Sequence, residues 1–182
     1  EYITGKDAKI GNYVNNLVTE KLKNNINVST YIDNTLVSND KSGINSSSSS
    51  NGENLLYNYM KQWSVIGGAN KKVSALFKFN NPVNIKYFNY ATYNGETVGA
   101  YKGWNLYYKD KNNNWVKAIN NNNTIIYIPS ANSIAPNYGI KVSQSDFSKE
   151  WKFEVLPTIN VYIYWVKMFG DYWVKELVLP GK

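Results

Sequence analysis

The sequence predicts an all-β domain, an antiparallel sandwich or barrel, with one short helix before it. From about Lys72 onward, eight short runs rich in β-branched and aromatic residues follow one another, as is typical of strands. Turn signals rich in Asn, Gly and Pro separate them at intervals of about ten residues, which favours an antiparallel all-β fold. Before these runs the apolar residues recur every three or four positions instead. We therefore assign residues 1–27 to a helical segment or linker and residues 28–182 to the β domain.

The predicted helix spans Gly11–Ile26. One apolar stripe with helical spacing runs along it, formed by Tyr13, Val14, Leu17, Val18, Leu22 and Ile26. A helix this short is unstable alone, so we expect it to dock on the β domain or to belong to a linker. The chain begins at Glu1 without a Met or a signal-like apolar run, and we expect it to be part of a longer protein.

The β domain contains the predicted strands in chain order: Val73–Phe79, Val83–Tyr93, Gly103–Lys109, Trp115–Ile119, Thr124–Ile128, Trp151–Leu156, Val161–Phe169 and Tyr172–Leu179. The clearest turns between them are Asn80-Asn81-Pro82, Asp110–Asn114 and Gly170-Asp171. Large apolar residues inside these runs are expected in the core: Trp104, Trp115, Trp165, Phe77, Phe79, Ile85 and Leu106.

The composition excludes several kinds of chemistry. The chain has no Cys and no His, and all 20 of its basic residues are Lys. Disulfides, thiolate and imidazole metal ligands, Ser–His triads and guanidinium forks are therefore absent. No local pair of carboxylates stands out among the 13 acids, so we expect no enzyme, although two distant carboxylates can meet in a folded glycosidase. A metal site must use oxygen ligands, which makes calcium the candidate.

The net charge of +7 has two interpretations. Abundant Lys and Asn without Arg are typical of an AT-rich genome, and a positive charge also favours anionic surfaces. The Lys residues are scattered, with only Lys71 and Lys72 adjacent, so nucleic-acid binding is not favoured. No run of 18 apolar residues occurs, so we expect no membrane span.

The 16 Tyr and 6 Trp residues are the more informative excess. Aromatic rings fill cores, but they also stack on the apolar face of a sugar while amides meet its hydroxyls. We expect such a site on loops at one end of the domain, because core packing and Lys-bearing positions occupy the sheet faces. The candidate ligand-binding residues are Tyr57, Tyr59, Tyr93, Asn94, Tyr101 and Tyr138.

Several stretches, taken in order, resemble a known family. Trp63, in QWSV, precedes the first long strand, and Ala75–Val83 ends in a step from proline to an apolar residue. Trp104–Ile119 is a strand–turn–Trp unit, and Trp173–Gly181 reads as a last strand, WVKELVLPG. Over about residues 26–181 the chain resembles the coagulation factor 5/8 type C family. These domains are also called discoidin or galactose-binding-like domains, and family 32 carbohydrate-binding modules are close to them.

The chain departs from that family in two places. Tyr162 and Tyr164 stand where members often have paired Arg, and the loop before Trp63 is longer and richer in Ser. The resemblance implies a jelly-roll β-sandwich with ligand loops at one end. It also implies a structural calcium ion held by an early Asp and by a Glu of the last strand. The matching Glu is Glu176, and the matching Asp is Asp33 or Asp40.

The interpretation we favour from the sequence is a non-catalytic carbohydrate-binding module. It would recognise a glycan on a cell surface or cell wall, as part of a larger secreted or particle-borne protein, and would act outside the cell or on a cell or virion surface. One alternative is a structural or receptor-binding domain of a phage-tail-like particle. Another is a domain that binds anionic lipid or nucleic acid through its positive charge.

Overall fold

The computed structural model describes residue 19 and residues 25–38, 52–56, 63–92, 101–119, 140–158 and 160–172. Thr19 is helical and buried, and the rest of the predicted helix up to residue 24 lies outside the described residues. Its predicted last residue, Ile26, is instead the first residue of a strand. The predicted strand at residues 124–128 and residues 173–179 of the last one also lie outside the described part of the chain.

The described residues form nine strands, and every pair is antiparallel. The strands are β1 Ile26–Ile32, β2 Thr35–Ser38, β3 Trp63–Val65, β4 Val73–Thr92, β5 Tyr101–Lys109, β6 Trp115–Lys117, β7 Ile140–Lys141, β8 Ser148–Pro157 and β9 Val161–Tyr172. A 3₁₀ helix, Gly52–Leu56, lies between β2 and β3.

The 20-residue strand β4 belongs to both layers of a sandwich. Its first part, up to Phe79, pairs with β1 and β8, and its second part, from Val83, pairs mainly with β9. Layer one therefore has the order β2-β1-β4-β8-β5-β6, and layer two has the order β7-β4-β9-β3. The predicted turn at residues 80–82 is wrong, because the strand bends there from one layer into the other. Pro82, which has no N–H to donate, fits this interruption of the hydrogen-bond ladder.

The predicted turn at Gly170-Asp171 is also wrong, because both residues continue β9. Gly170 pairs with Ile85 and Asp171 pairs with Asn84 of β4. A Cβ atom at position 170 would overlap the backbone carbonyl of Asn84. The glycine therefore permits a close approach of two strands. A close approach, like a bulge or a tight bend, is a common reason for a glycine inside a strand. The predicted turn at Asp110–Asn114 is confirmed, since it connects β5 and β6.

The core lies between the two layers. Phe88 of β4 contacts Trp104 and Phe153 of layer one, with ring centroids 5.4 and 5.0 Å apart. Tyr90 contacts the same two rings at 5.5 and 4.8 Å. The predicted core residues are confirmed with one exception, Trp115. Those that are buried are Trp104, Trp165, Phe77, Phe79, Ile85 and Leu106.

Trp115 is half-buried rather than part of the core. Its strand, β6, has three residues and is the last in the order of layer one. Two tryptophans that the sequence analysis did not assign to the core occupy its centre instead. Trp63 of β3 donates from Nε1 to Thr30 Oγ1 of β1 at 2.8 Å, and Trp151 of β8 donates to the carbonyl of Val83 at 3.2 Å. Both bonds connect parts of the two layers.

Candidate functional site

The outer face of layer one, opposite the core, carries a row of polar and aromatic side chains. Alternation along each strand sends Phe77 and Phe153 inward, so their neighbours Leu76 and Lys152 face outward. Leu76 pairs with Lys152, which in turn pairs with Tyr107 of β5. The face therefore continues across β4, β8 and β5 towards the edge strand β6.

A groove of about 210 Å³ lies on this face. Its lining residues are Tyr31, Asp33, Asn34, Ser74, Leu76, Trp115 and Lys152. Ser74 and Leu76 are 5% and 8% exposed and form its floor, whereas Asp33 and Asn34 are exposed, so the groove opens to solvent. Enclosing sites for drug-sized ligands have volumes of roughly 300–1,000 Å³. The groove is smaller than such sites.

Trp115 provides the aromatic face of the groove. The Nζ atoms of Lys152 and Lys109 lie 4.5 and 4.9 Å from the centroid of its ring. Lys109 also forms an ion pair with Glu150, at 3.4 Å. Cation–π contacts at these distances hold the ammonium groups against the ring. These contacts hold the indole at the edge of the sheet, where Trp115 is partly exposed.

Burial and nearby charges shift the pKa values of two neighbouring side chains on this face, Tyr107 and Lys152. Burial raises the pKa of the Tyr107 hydroxyl, and the charge of Glu154 and a hydrogen bond with its carboxylate raise it further. Burial lowers the pKa of the Lys152 ammonium; Glu154 opposes this, and the charges of Lys72 and Lys109 lower it further. Tyr107 therefore stays neutral at neutral pH and donates a hydrogen bond from its hydroxyl to Glu154, because its ordinary pKa is already about 10 and is raised here.

Asp33, one of the predicted calcium ligands, has a role in the turn between β1 and β2. It has a positive φ of 53°, its N–H donates to the carbonyl of Lys72 at 2.6 Å, and its carboxylate accepts from the N–H of Lys72 at 3.1 Å. Asp40 and Glu176 lie outside the described residues. Within the described part of the chain, no three acidic side chains cluster as metal ligands would. The calcium site stays a prediction.

The predicted loop site is not described by the structure. Tyr57, Tyr59, Tyr93, Asn94 and Tyr138 lie outside the described residues. Tyr101 is the first residue of β5, where its backbone pairs with Pro157; its side chain is outside what the structure describes. The loop site therefore stays a prediction too.

The sheet-face groove was not predicted, because the alternation within each strand indicates which residues face the core and not which strands lie side by side. One local pattern in the sequence did indicate a surface position for Trp115. Lys109 and Trp115 flank the turn Asp110–Asn114, and a hairpin there places them opposite each other, as the structure confirms. An aromatic ring beside a cation on the solvent side of a hairpin indicates a surface feature rather than core.

A second cavity, of about 330 Å³, lies between the β5–β6 turn and the segment before β8. Its two aspartates form local turns. Asp110 Oδ1 accepts from the N–H groups of Asn112 and Asn114, both at 2.9 Å, and Asp146 Oδ1 accepts from the N–H of Phe147 at 2.7 Å. Both carboxylates therefore stabilise their own turns, which gives them a structural role. We favour the groove beside Trp115 as the site.

No protein-family model matches the chain, and no curated protein matches it. Solved structures do. The third carbohydrate-binding module of family 32 from a family 31 glycoside hydrolase of Clostridium perfringens aligns with a TM-score of 0.50. The two chains are 12% identical, and the alignment covers 82% of this chain and 94% of that one. The chain has the fold of a family 32 carbohydrate-binding module. The predicted antiparallel β-sandwich is thereby confirmed.

Two further solved structures are similar at lower scores. The family 32 module from Streptococcus pneumoniae EndoD is 16% identical with a TM-score of 0.47, covering 78% of this chain and 96% of that one. A second C. perfringens family 32 module, solved with GalNAc-β-1,3-galactose, is 13% identical with a TM-score of 0.49, covering 82% and 98%. At such identities the likeness to family 32 modules concerns the fold.

Proposed function

We propose that the chain is a non-catalytic glycan-binding module that recognises a cell-surface or cell-wall glycan as part of a larger extracellular or particle-borne protein. The observation that carries the proposal is the partly exposed Trp115 beside a small polar groove. The C. perfringens domain with the same fold is a carbohydrate-binding module. In the described part of the chain, no helix is long and apolar enough to cross a membrane.

The groove has the two chemical parts that sugar recognition needs. The indole of Trp115 offers a flat face for the apolar C–H side of a pyranose. Around it, the amide of Asn34 can donate to and accept from hydroxyl groups, the carboxylate of Asp33 can accept from them, and the ammonium of Lys152 can donate to them. One stacked ring with a few hydroxyl contacts gives a Kd of roughly micromolar to millimolar. Such binding serves a protein that presents several copies.

The carboxylates beside the groove have structural contacts rather than a catalytic arrangement. Asp33 accepts from the backbone of Lys72, Glu150 pairs with Lys109, and Glu154 accepts from the Tyr107 hydroxyl. General acid–base or nucleophilic catalysis needs a carboxyl group directed at the substrate. These contacts favour binding over hydrolysis.

Replacing Trp115 with alanine is expected to weaken glycan binding by about 5- to 150-fold, because an aromatic stack is worth about 1–3 kcal/mol in the analogous stacking of bases. The measurement is binding of the wild type and the variant to a glycan array and to immobilised cell wall, followed by affinity on the best ligand. Phe147→Ala is the matched control, because Phe147 is a half-buried aromatic residue that lines the second cavity. It is expected to bind like the wild type.

The contrary result is a folded Trp115→Ala protein that binds like the wild type, or a loss seen only in Phe147→Ala. A salt titration separates the alternative ligands. Binding to nucleic acid through many phosphates falls steeply between low and moderate salt, and binding to a sugar through stacking falls far less. A domain with a purely structural role in a particle would bind nothing on either surface.

A further inference from the structure

We propose that the groove selects acidic glycans, those that carry a carboxylate or sulfate group, and that Lys152 is the residue that selects them. This inference rests on the proposed function and names the ligand class for the same groove. It comes from the position of one ammonium group and from the contacts already made by the carboxylates around it.

Lys152 lies at the centre of the outer face of layer one. It pairs with Leu76 on one side and with Tyr107 on the other. Its Nζ atom is 4.5 Å from the Trp115 ring centroid and 4.9 Å from the Tyr107 ring centroid. A sugar that stacks on Trp115 would displace this ammonium from the ring, and the long Lys side chain would leave it within reach of the edge of the sugar.

The carboxylates near Lys152 are held by other groups. Glu150 forms its ion pair with Lys109, Glu154 accepts a hydrogen bond from the Tyr107 hydroxyl, and Asp33 accepts a hydrogen bond from the backbone N–H of Lys72. Among the described residues, none of them forms an ion pair with Lys152. Lys152 thus contacts two aromatic rings and forms no ion pair within the described part of the chain, and the carboxylate whose charge acts on it, Glu154, already accepts a hydrogen bond from Tyr107.

A bound anion would stabilise the charged ammonium of Lys152. Burial lowers the pKa of Lys152, the charge of Glu154 opposes this, and the positive charges of Lys72 and Lys109 lower it further, so the ammonium is only partly compensated. A carboxylate or sulfate on the sugar would form a charge-assisted hydrogen bond with Nζ in a partly dry site. A neutral glycan would remove water from the ammonium without supplying such a partner, which costs binding free energy.

The experiment uses an array of matched glycan pairs, each printed with and without its uronic acid carboxylate, sialic acid or sulfate group. The wild type is expected to bind the acidic member about tenfold or more tightly, the effect of one hydrogen bond to a charged group. Lys152→Gln is expected to bind both members about equally, and Lys152→Arg is expected to keep the preference, because it keeps the charge. Lys111→Gln, an exposed Lys at the second cavity, is the control and should behave as the wild type.

Two results would overturn the inference and leave the proposed function standing: equal binding of acidic and neutral members by the wild type, or an acidic preference that survives in Lys152→Gln. Binding to no member of any pair would overturn the proposed function as well. Circular dichroism of each variant confirms that a changed preference comes from the side chain and not from unfolding.

Discussion

Replacing Trp151 with alanine is expected to lower the free energy of unfolding by roughly 3–5 kcal/mol, the cost of removing a fully buried Trp. The side chain is 0% exposed, its ring lies 5.2 Å from that of Tyr108, and its Nε1 donates to the carbonyl of Val83. Val83 is where β4 resumes pairing after it bends between the layers. The substitution therefore leaves a cavity and also frees a carbonyl at the bend. Denaturant unfolding followed by fluorescence measures the loss.

Trp115→Ala is the matched control, because it removes the same side chain from the edge of the sheet, and its loss of stability is expected to be smaller. Trp104→Ala is expected to match Trp151→Ala, since Trp104 is 2% exposed. The two phenylalanine variants separate packing from hydrogen bonding. Trp104 Nε1 has no hydrogen-bond partner among the described residues, whereas Trp151 Nε1 has one. Trp104→Phe should thus cost less than Trp151→Phe. Equal stability of Trp115→Ala and Trp151→Ala would contradict the assignment of the core.

Gly170→Ala is expected to destabilise the protein by an amount at or above the upper end of the roughly 1–3 kcal/mol typical of overpacking. The added Cβ would overlap the carbonyl oxygen of Asn84 and come within 3.0 Å of Ile85 Cα. Both obstacles are backbone atoms of β4, so no side-chain rotation can relieve the overlap. The strands β4 and β9, which are the central pair of layer two, would have to move apart at this point. The unfolding free energy of the variant measures this cost.

Gly67→Ala separates steric overlap from backbone strain. Gly67 has a positive φ of 87°, and no atom lies within 4 Å of the position that a Cβ atom would take. An alanine there incurs only the cost of the left-handed conformation, about 1–2 kcal/mol. Gly170→Ala should cost more than Gly67→Ala, and the reverse order would show that the strands can move apart easily.

The sequence predicted the strands better than their connections. Alternation identified the runs that became β4, β5, β8 and β9, because burial of one face imposes period two on the residues. It placed a turn at Asn80-Asn81-Pro82 and another at Gly170-Asp171, where the chain continues. Turn-forming residues also occur at a bend within a strand and at a close approach of two strands. Only the pairing of distant strands distinguishes these uses, and local sequence does not contain it.

The residues that line the groove could not be predicted from the sequence for a related reason. Trp115 lies in a strand-like run, which predicted core, but the edge position of β6 turns it towards solvent. Tyr31, Ser74 and Lys152 are far apart in the chain and meet only because β1, β4 and β8 are neighbours in layer one. Edge strands and strand order are properties of the whole sheet, so these residues carried no shared local pattern.

The most direct test of the account is an NMR titration of the ¹⁵N-labelled protein with the glycan that binds best in the array. The indole N–H signal of Trp115 is expected to shift with ligand, together with backbone signals of Asn34 and Lys152. The indole signals of Trp63 and Trp151 should stay in place, because both are 0% exposed and hydrogen-bonded. Shifts confined to residues 57–59, 93–101 and 138, with the Trp115 signal unchanged, would place the glycan on the loops and contradict the groove as the binding site.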